Sequence, residues 1–364
     1  MTIFSGCGII NKHIDHECER TQKYPSGSRG SPAKGVVRET VARVQIPPSA
    51  PYRARRLEKT AGFLFIESCG KRGSELLLQK LQRVSQGGII MKIMVAGLGL
   101  IGGSIAKSLK RAGHFVDGID RQAVCERAKT EGVIVDIAQD FLLYDLVFVA
   151  LPPDAVIDFI NGSKFKDGAI VADICGVKGA IAAAVGSMPR NFRYVGCHPM
   201  AGKEVSGLEN SSETLFDDAS MIIVEDERTD REAVALIEAL CAKMGFSNIK
   251  HCDAKYHDKK IAYTSQLAHI VSNAYVKSPT ADGFFGFTGG SFQDMTRIAG
   301  VDEEIWSRLF MMNSDAVEEE LARLISNLQE YLGALRSGDE KRLKELLREG
   351  RLRKEDLDKE RKIL

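Results

Sequence analysis

Gly97, Gly99 and Gly102, in the stretch Val95-Ala96-Gly97-Leu98-Gly99-Leu100-Ile101-Gly102-Gly103-Ser104, have the G-x-G-x-x-G spacing that brings a backbone close to a pyrophosphate. The first glycine permits a tight turn, and the second removes a side chain that would fend off the phosphates. The third lets the following helix pack on the preceding strand, so that its positive N-terminus faces the anion. Asp120 stands 18 positions beyond Gly102, where a carboxylate accepts hydrogen bonds from adenosine ribose hydroxyls. Such a carboxylate repels a 2′-phosphate and favours NAD over NADP, although Arg121 beside it is a residue type that accommodates that phosphate. The expected cofactor contacts are Gly97, Leu98, Gly99, Leu100, Ile101, Gly102, Asp120 and Arg121, joined by Leu151, Pro152 and Asp173 at the ends of later strands.

The elements that must position these residues follow from the apolar pattern. Lys92 to Ala96 reads as a strand, Ser104 to Ala112 as a helix and Phe115 to Ile119 as a strand. A helix from Arg121 to Glu131, a strand from Asp145 to Leu151, a helix from Pro153, a strand from Gly168 to Ile174, a helix from Val177 and a strand from Arg193 to Cys197 continue the alternation. The pattern predicts an α/β fold, a Rossmann-type doubly wound parallel sheet whose ligands gather at the carboxyl ends of the strands. Thr229-Asp230-Arg231-Glu232 reads as a capping box opening a helix to about Met244. After Asp253 the chain becomes all-helical, with helices over Tyr256 to Lys277 and Asp302 to Ser314. A last long helix carries Leu321, Leu324, Ile325, Leu328, Leu332 and Leu335 at three- and four-residue spacing, a stripe that serves either a core or a two-fold interface. The expected domains are a nucleotide-binding domain over 91–252, a helical domain over 253–340 and a charged, fraying tail over 341–364.

At the end of the fifth predicted strand stands Gly196-Cys197-His198-Pro199-Met200-Ala201-Gly202. Here the chain resembles the prephenate dehydrogenase family, whose members carry a G-x-H-P-x-x-G loop. Asp173-Ile174-Cys175-Gly176-Val177-Lys178-Gly179 is similar to the family's D-x-x-[SG]-V-K segment, and Asp294-Met295-Thr296-Arg297-Ile298-Ala299 to its D-x-T-R-[IL]-A segment. The resemblance runs from 91 to about 335. It implies oxidative decarboxylation of prephenate to 4-hydroxyphenylpyruvate in tyrosine biosynthesis, with arogenate as the alternative substrate and a homodimer joined through an all-helical dimerisation domain. His198 is the expected acceptor of the hydroxyl proton, since a histidine titrates near neutrality. Arg297 suits a bidentate grip on a substrate carboxylate. Asp294, three positions earlier, is placed to orient it. Glu204 matches a glutamate at the site entrance, and Lys203 adds positive potential for a dianionic substrate.

The chain departs from the family pattern at two points. Gly176 stands where many members carry a serine whose hydroxyl would bond the histidine and the substrate, leaving Cys175 or a water to serve. Gln266-Leu267-Ala268-His269 stands where a His-Leu-Pro-His segment is common. Gln266, the expected substrate contact there, donates a hydrogen bond without carrying charge. Two rival readings share the cofactor domain: a β-hydroxyacid dehydrogenase using Lys255, Lys259 or Lys260 as its acid/base, and a non-catalytic NAD-binding regulator.

The net charge of +1 conceals a division. Residues 1–90 carry 15 Lys+Arg against 7 Asp+Glu and five of the ten prolines, while the rest carries 35 against 42. This basic leader shows no sustained period beyond a short helical pattern over Ser74 to Gln86, and fits neither a secretory nor an organellar signal. A nucleic-acid-binding arm is one reading of it. The one favoured is translated sequence ahead of a start at Met91. Eight cysteines without C-x-x-C spacing point to the reduced thiols of a cytoplasmic protein. Neither His13, His16 and Cys18 nor His251, Cys252 and His257, read as straddling a loop, has the spacing of a metal site. No apolar run reaches the length of a membrane span.

Overall fold

The computed structural model describes residues 91–187 and 189–363. The basic leader and the helical pattern expected over Ser74 to Gln86 lie outside the described residues.

The first half is built on a seven-stranded sheet: β1 (Ile93–Ala96), β2 (Val116–Ile119), β3 (Leu146–Val149), β4 (Ile170–Asp173), β5 (Arg193–Pro199), β6 (Ser220–Val224) and β7 (Asn248–Cys252). Their order is β2-β1-β3-β4-β5-β6-β7. The first five strands run parallel, β6 pairs antiparallel with β5, and β7 runs parallel to β6. Helices α1 (Leu100–Arg111), α2 (Gln122–Thr130), α3 (Pro153–Gly162), α4 (Gly179–Gly186) and α5 (Arg231–Met244) cover the faces. Alternation along each strand divides the core in two. Ile93, Val95, Leu146, Phe148, Ile170 and Ala172 pack with α1, α2 and α5, while Met94, Val147, Val149 and Val171 pack with α3 and α4. Strands buried on both faces need apolar residues at every position, and β1 and β3 have them.

The structure differs from the sequence expectation at several elements. The helix expected from Ser104 begins at Leu100, directly after the glycine turn. Asp230, not Thr229, caps α5, its side chain accepting from the Ala233 N–H. β6 and β7 were not expected. The Ser220–Val224 run is short, and β7 lies at the sheet edge with Lys250 and His251 exposed, a pattern that blunts an edge against pairing but weakens its alternation. His251 and Cys252 therefore sit on a strand rather than a loop, and His251 lies between Glu225 and Glu238.

The second half comprises α6 (Ala254–Ile261), α7 (Leu267–Tyr275), α8 (Gly290–Thr296), α9 (Glu303–Met312), α10 (Ser314–Ser337) and α11 (Glu340–Ile363). Between α6 and α7 the helix continues through a π turn, Ala262–Gln266. Residues 341–363 do not fray: α11 buries Leu346, and Arg342 pairs with Glu330 of α10. The α10 stripe stays open, with Ile325, Leu328, Leu332 and Leu335 exposed, as are Phe285 and Phe287 in the Gly-rich loop before α8. Leu309 and Met312 of α9 pack on the α3/α4 core, and Arg308 reaches Asp154 of α3 at 3.2 Å. Among the described residues no helix is long and apolar enough to cross a membrane.

Candidate active site

The glycine loop has the form that an anion needs. Gly97 has φ +90°, and a Cβ there would strike the Ala150 carbonyl; a Cβ on Gly102 would strike the carbonyl of Gly97. At Gly99, by contrast, a Cβ would meet nothing within 4 Å, so the space above the turn is open. α1 carries no side-chain cap and no acidic residue in its first turn. Its first N–H groups have no intrahelical partners and face that opening with the positive end of the helix dipole. Asp120 is held beside the loop: its Oδ2 accepts the Leu98 N–H and its Oδ1 the Arg121 N–H, each at 2.6 Å. Arg121 is exposed, its Nε 3.8 Å from Asp120. Leu151 and Pro152 follow β3, with the Leu151 side chain against the Gly97 turn. These residues fit an adenine dinucleotide lying along the strand ends.

Asp173 does not belong to that set. It is fully buried, and its carboxylate is taken up by the Lys178 ammonium, by the Tyr194 hydroxyl at 2.5 Å and by the Cys175 N–H at 3.0 Å. A buried pair of this kind holds the β4–α4 loop in shape and has no oxygen left for a cofactor.

His198, near the end of β5, faces that loop from the other side. A Cβ on Gly176 would lie 3.6 Å from its Nε2, so the glycine leaves that nitrogen uncovered. Its Nδ1 lies 2.9 Å from Nε2 of His257 on α6, and Nδ1 of His257 lies 2.7 Å from Oδ1 of Asp258. Burial first, then His257 and Lys178, hold the pKa of His198 well below the usual histidine value. The ring is therefore a neutral base at neutral pH. Burial pushes the Cys175 thiol up to about 11, and its sulfur accepts from the backbone N–H groups of Gly176 and Val177. That thiol does not replace a serine hydroxyl at His198; the partner of the ring is His257.

Arg297 follows α8 and pairs with Glu204, from the loop after β5. Both side chains are largely exposed, so the pair is weak and a carboxylate ligand competes for the guanidinium. Asp294 is exposed and does not orient Arg297; Glu204 does. Lys203 is exposed, donating to the Asn210 carbonyl at 3.1 Å. Gln266 is buried with both ends of its amide engaged, Nε2 on the Leu309 carbonyl at 3.0 Å and Oε1 accepting from Asn313 at 2.6 Å. It is a packing residue, not a substrate contact. The residue of that segment near the Arg297–Glu204 pair is His269, whose Nδ1 donates to the Ile298 carbonyl at 3.0 Å and whose ring lies against Trp306. Glu204 and Arg297 both act on its charge, and burial lowers its pKa. The intervening π turn carries one extra residue per turn and shifts the faces that a regular helix would present.

Sequence reasoning missed His257, Asp258 and His269 as site residues. A His-Asp pair on the same helical face as Ile261 was the available signal for the first two. Lys255, Lys259 and Lys260, the alternative acid/base candidates, are exposed on α6 and lie outside the site.

Comparison with known proteins identifies the family. Residues 105–250 match the family model described as prephenate dehydrogenase, nucleotide-binding domain, and residues 253–349 match prephenate dehydrogenase, dimerization domain. The chain is 29% identical to a prephenate dehydrogenase of Bacillus subtilis over 261 residues, covering 66% of this chain and 70% of that protein. Among solved structures it is similar to an arogenate dehydrogenase of Synechocystis (27% identity, TM-score 0.61, 73% of this chain and 100% of that one). It is also similar to a prephenate dehydrogenase of A. aeolicus in complex with hydroxyphenyl propionate and NAD+ (25% identity, TM-score 0.65, 74% and 99%).

Proposed function

The chain belongs to the prephenate dehydrogenase family, and on that premise we propose that it carries out the NAD-dependent oxidative decarboxylation of prephenate to 4-hydroxyphenylpyruvate. The observation that carries this reading is His198: a neutral imidazole whose Nδ1 is engaged by His257 and whose Nε2 is uncovered beside Gly176. As the ring hydroxyl is oxidised its proton needs an acceptor, and Nε2 is that acceptor. The bound nicotinamide supplies the hydride acceptor. Aromatisation drives loss of the ring carboxylate as CO₂, so no metal is needed to stabilise a carbanion. Arg297 exchanges Glu204 for a carboxylate of the dianion, and His269 lies beside the same pair.

NAD rather than NADP is favoured by the Asp120 carboxylate held beside the glycine loop. Arogenate is the second reading, favoured by the likeness to the Synechocystis enzyme. The reading includes a cytoplasmic homodimer joined through the helical half, supported by the exposed α10 stripe and by Cys175, Cys197, Cys241 and Cys252, which form no disulfide among the described residues. NADH formation with prephenate and then arogenate, each tested with NAD and NADP, examines all of this. Turnover of one substrate, abolished in His198→Asn with NADH binding retained, supports it. Folded protein that binds NADH and turns over neither substrate points instead to a binding regulator.

A further inference from the structure

The hydrogen bonds behind His198 leave little freedom in where their protons sit. Asp258 Oδ1 accepts the Lys178 N–H at 2.9 Å and Oδ2 the Gly179 N–H at 2.7 Å, so both oxygens are acceptors and the group is a carboxylate. It must then receive the Nδ1 proton of His257. A neutral His257 donor at Nδ1 is an acceptor at Nε2, which requires His198 to donate from its own Nδ1. The lone pair of His198 is thereby placed on Nε2. His257 is fully buried and Asp258 nearly so, and neither is used by the reaction as described above.

We infer that His257 and Asp258 are positioning residues that form a proton relay behind His198. The inference rests on the function proposed above. As the ring carbon gives up its hydride and the C–O bond gains carbonyl character, the hydroxyl proton moves to His198 Nε2. The Nδ1 proton of His198 moves to His257 Nε2, and the positive charge comes to rest on His257 against the Asp258 carboxylate. When the bond to the ring carboxylate breaks, its electron pair aromatises the ring. The phenolic oxygen takes the proton back through the same bonds, so that none is released and the relay is reset in each turnover. The surroundings favour this division of charge. His198 feels the Lys178 ammonium, which is paired with Asp173, whereas His257 faces Asp258. Asp258 also fixes the α4 N-terminus, and its carbonyl accepts from Asn313 at 2.9 Å, so the relay is anchored in both halves.

Two variants of the full chain separate the roles. His257→Gln retains an acceptor for His198 but cannot take a proton; His257→Leu can do neither. With folding checked by thermal melting and NADH binding, His257→Gln is expected to keep KM near the wild-type value while kcat falls on the order of 10²-fold. His257→Leu is expected to lose kcat further, with a changed pH profile. Wild-type kcat in His257→Gln overturns the relay. Imidazole ¹⁵N spectra of the unliganded wild-type chain provide a readout independent of turnover, with both rings expected as Nδ1–H tautomers. A His198 proton on Nε2 overturns the inference even if the chain turns over neither substrate, an outcome that would by itself remove only the proposed function.

Discussion

The nucleotide-binding half and the helical half bury different kinds of side chain. In the first, β1, β3 and β4 are buried at every residue, and apolar clusters fill both faces of the sheet. In the second, the buried set is thin in large apolar groups (Ile261, Leu267, Val317 and Leu346) and includes His257, Asp258, Gln266, Ser272 and Asn313, while Ile325, Leu328, Leu332 and Leu335 face outward. One half is held by area removed from water within the chain. The other is held by a satisfied polar network and leaves an apolar stripe exposed on α10. The two meet where His198 of the sheet contacts His257 of the helical half.

The largest expected effect tests whether the junction is chemical rather than structural. His198→Asn should lower kcat by about 10²- to 10⁴-fold, the range for a lost general base, with the thermal midpoint unchanged. A large drop in the midpoint would break the distinction. Phe148→Ala, in the middle of β3, should cost about 3 to 5 kcal/mol of stability by chemical denaturation, because the sheet cannot collapse around the cavity. A cost below about 1 kcal/mol would mean that the first half is looser than its burial indicates. Arg297→Ala should raise the substrate KM by about 10- to 100-fold, the equivalent of a lost charge-assisted hydrogen bond of about 1.5 to 3 kcal/mol. NADH affinity should stay the same, and an equal loss there would place Arg297 in the wrong half of the site.

Leu328→Glu combined with Leu332→Glu should change the chain's own stability by no more than about 0.5 kcal/mol each, as exposed substitutions do, yet convert a dimer to a monomer in sedimentation. An unchanged dimer would assign the interface to another surface. The smallest effect concerns pH. The burial that depresses the His198 pKa keeps the ring in its base form to lower pH than an ordinary histidine. The acid limb of kcat/KM should therefore lie below about 6.5, with activity held between about pH 7 and that value. A limb at or above about 6.5 would show that the half-reaction is governed by a more exposed group.

Much of the first half could be read from sequence because its demands are local. The Gly97 turn needs a positive φ, and Gly102 must let a helix approach a strand, so the residue types announce the geometry. Asp173 and Gln266 were read otherwise in sequence because part of what engages them, Tyr194 for the first and Leu309 and Asn313 for the second, is distant in sequence. β7 was invisible because an edge strand with Lys250 and His251 outward lacks the period of a buried one. His257 gave only a weak signal, since its partner His198 lies 59 positions away.

The π turn at Ala262–Gln266 works as a phase adjuster. Each residue of an α-helix advances the side chains by about 100°, so one residue more or fewer in this turn would swing everything that follows by that angle. His257 lies before the turn and His269 after it, and the turn therefore sets the angle between the buried histidine behind His198 and the one beside Arg297 and Glu204. A single-codon deletion before Gln266 would leave every named side chain in the sequence yet rotate His269 and all of α7 relative to the sheet, and would pull Gln266 away from Leu309 and Asn313.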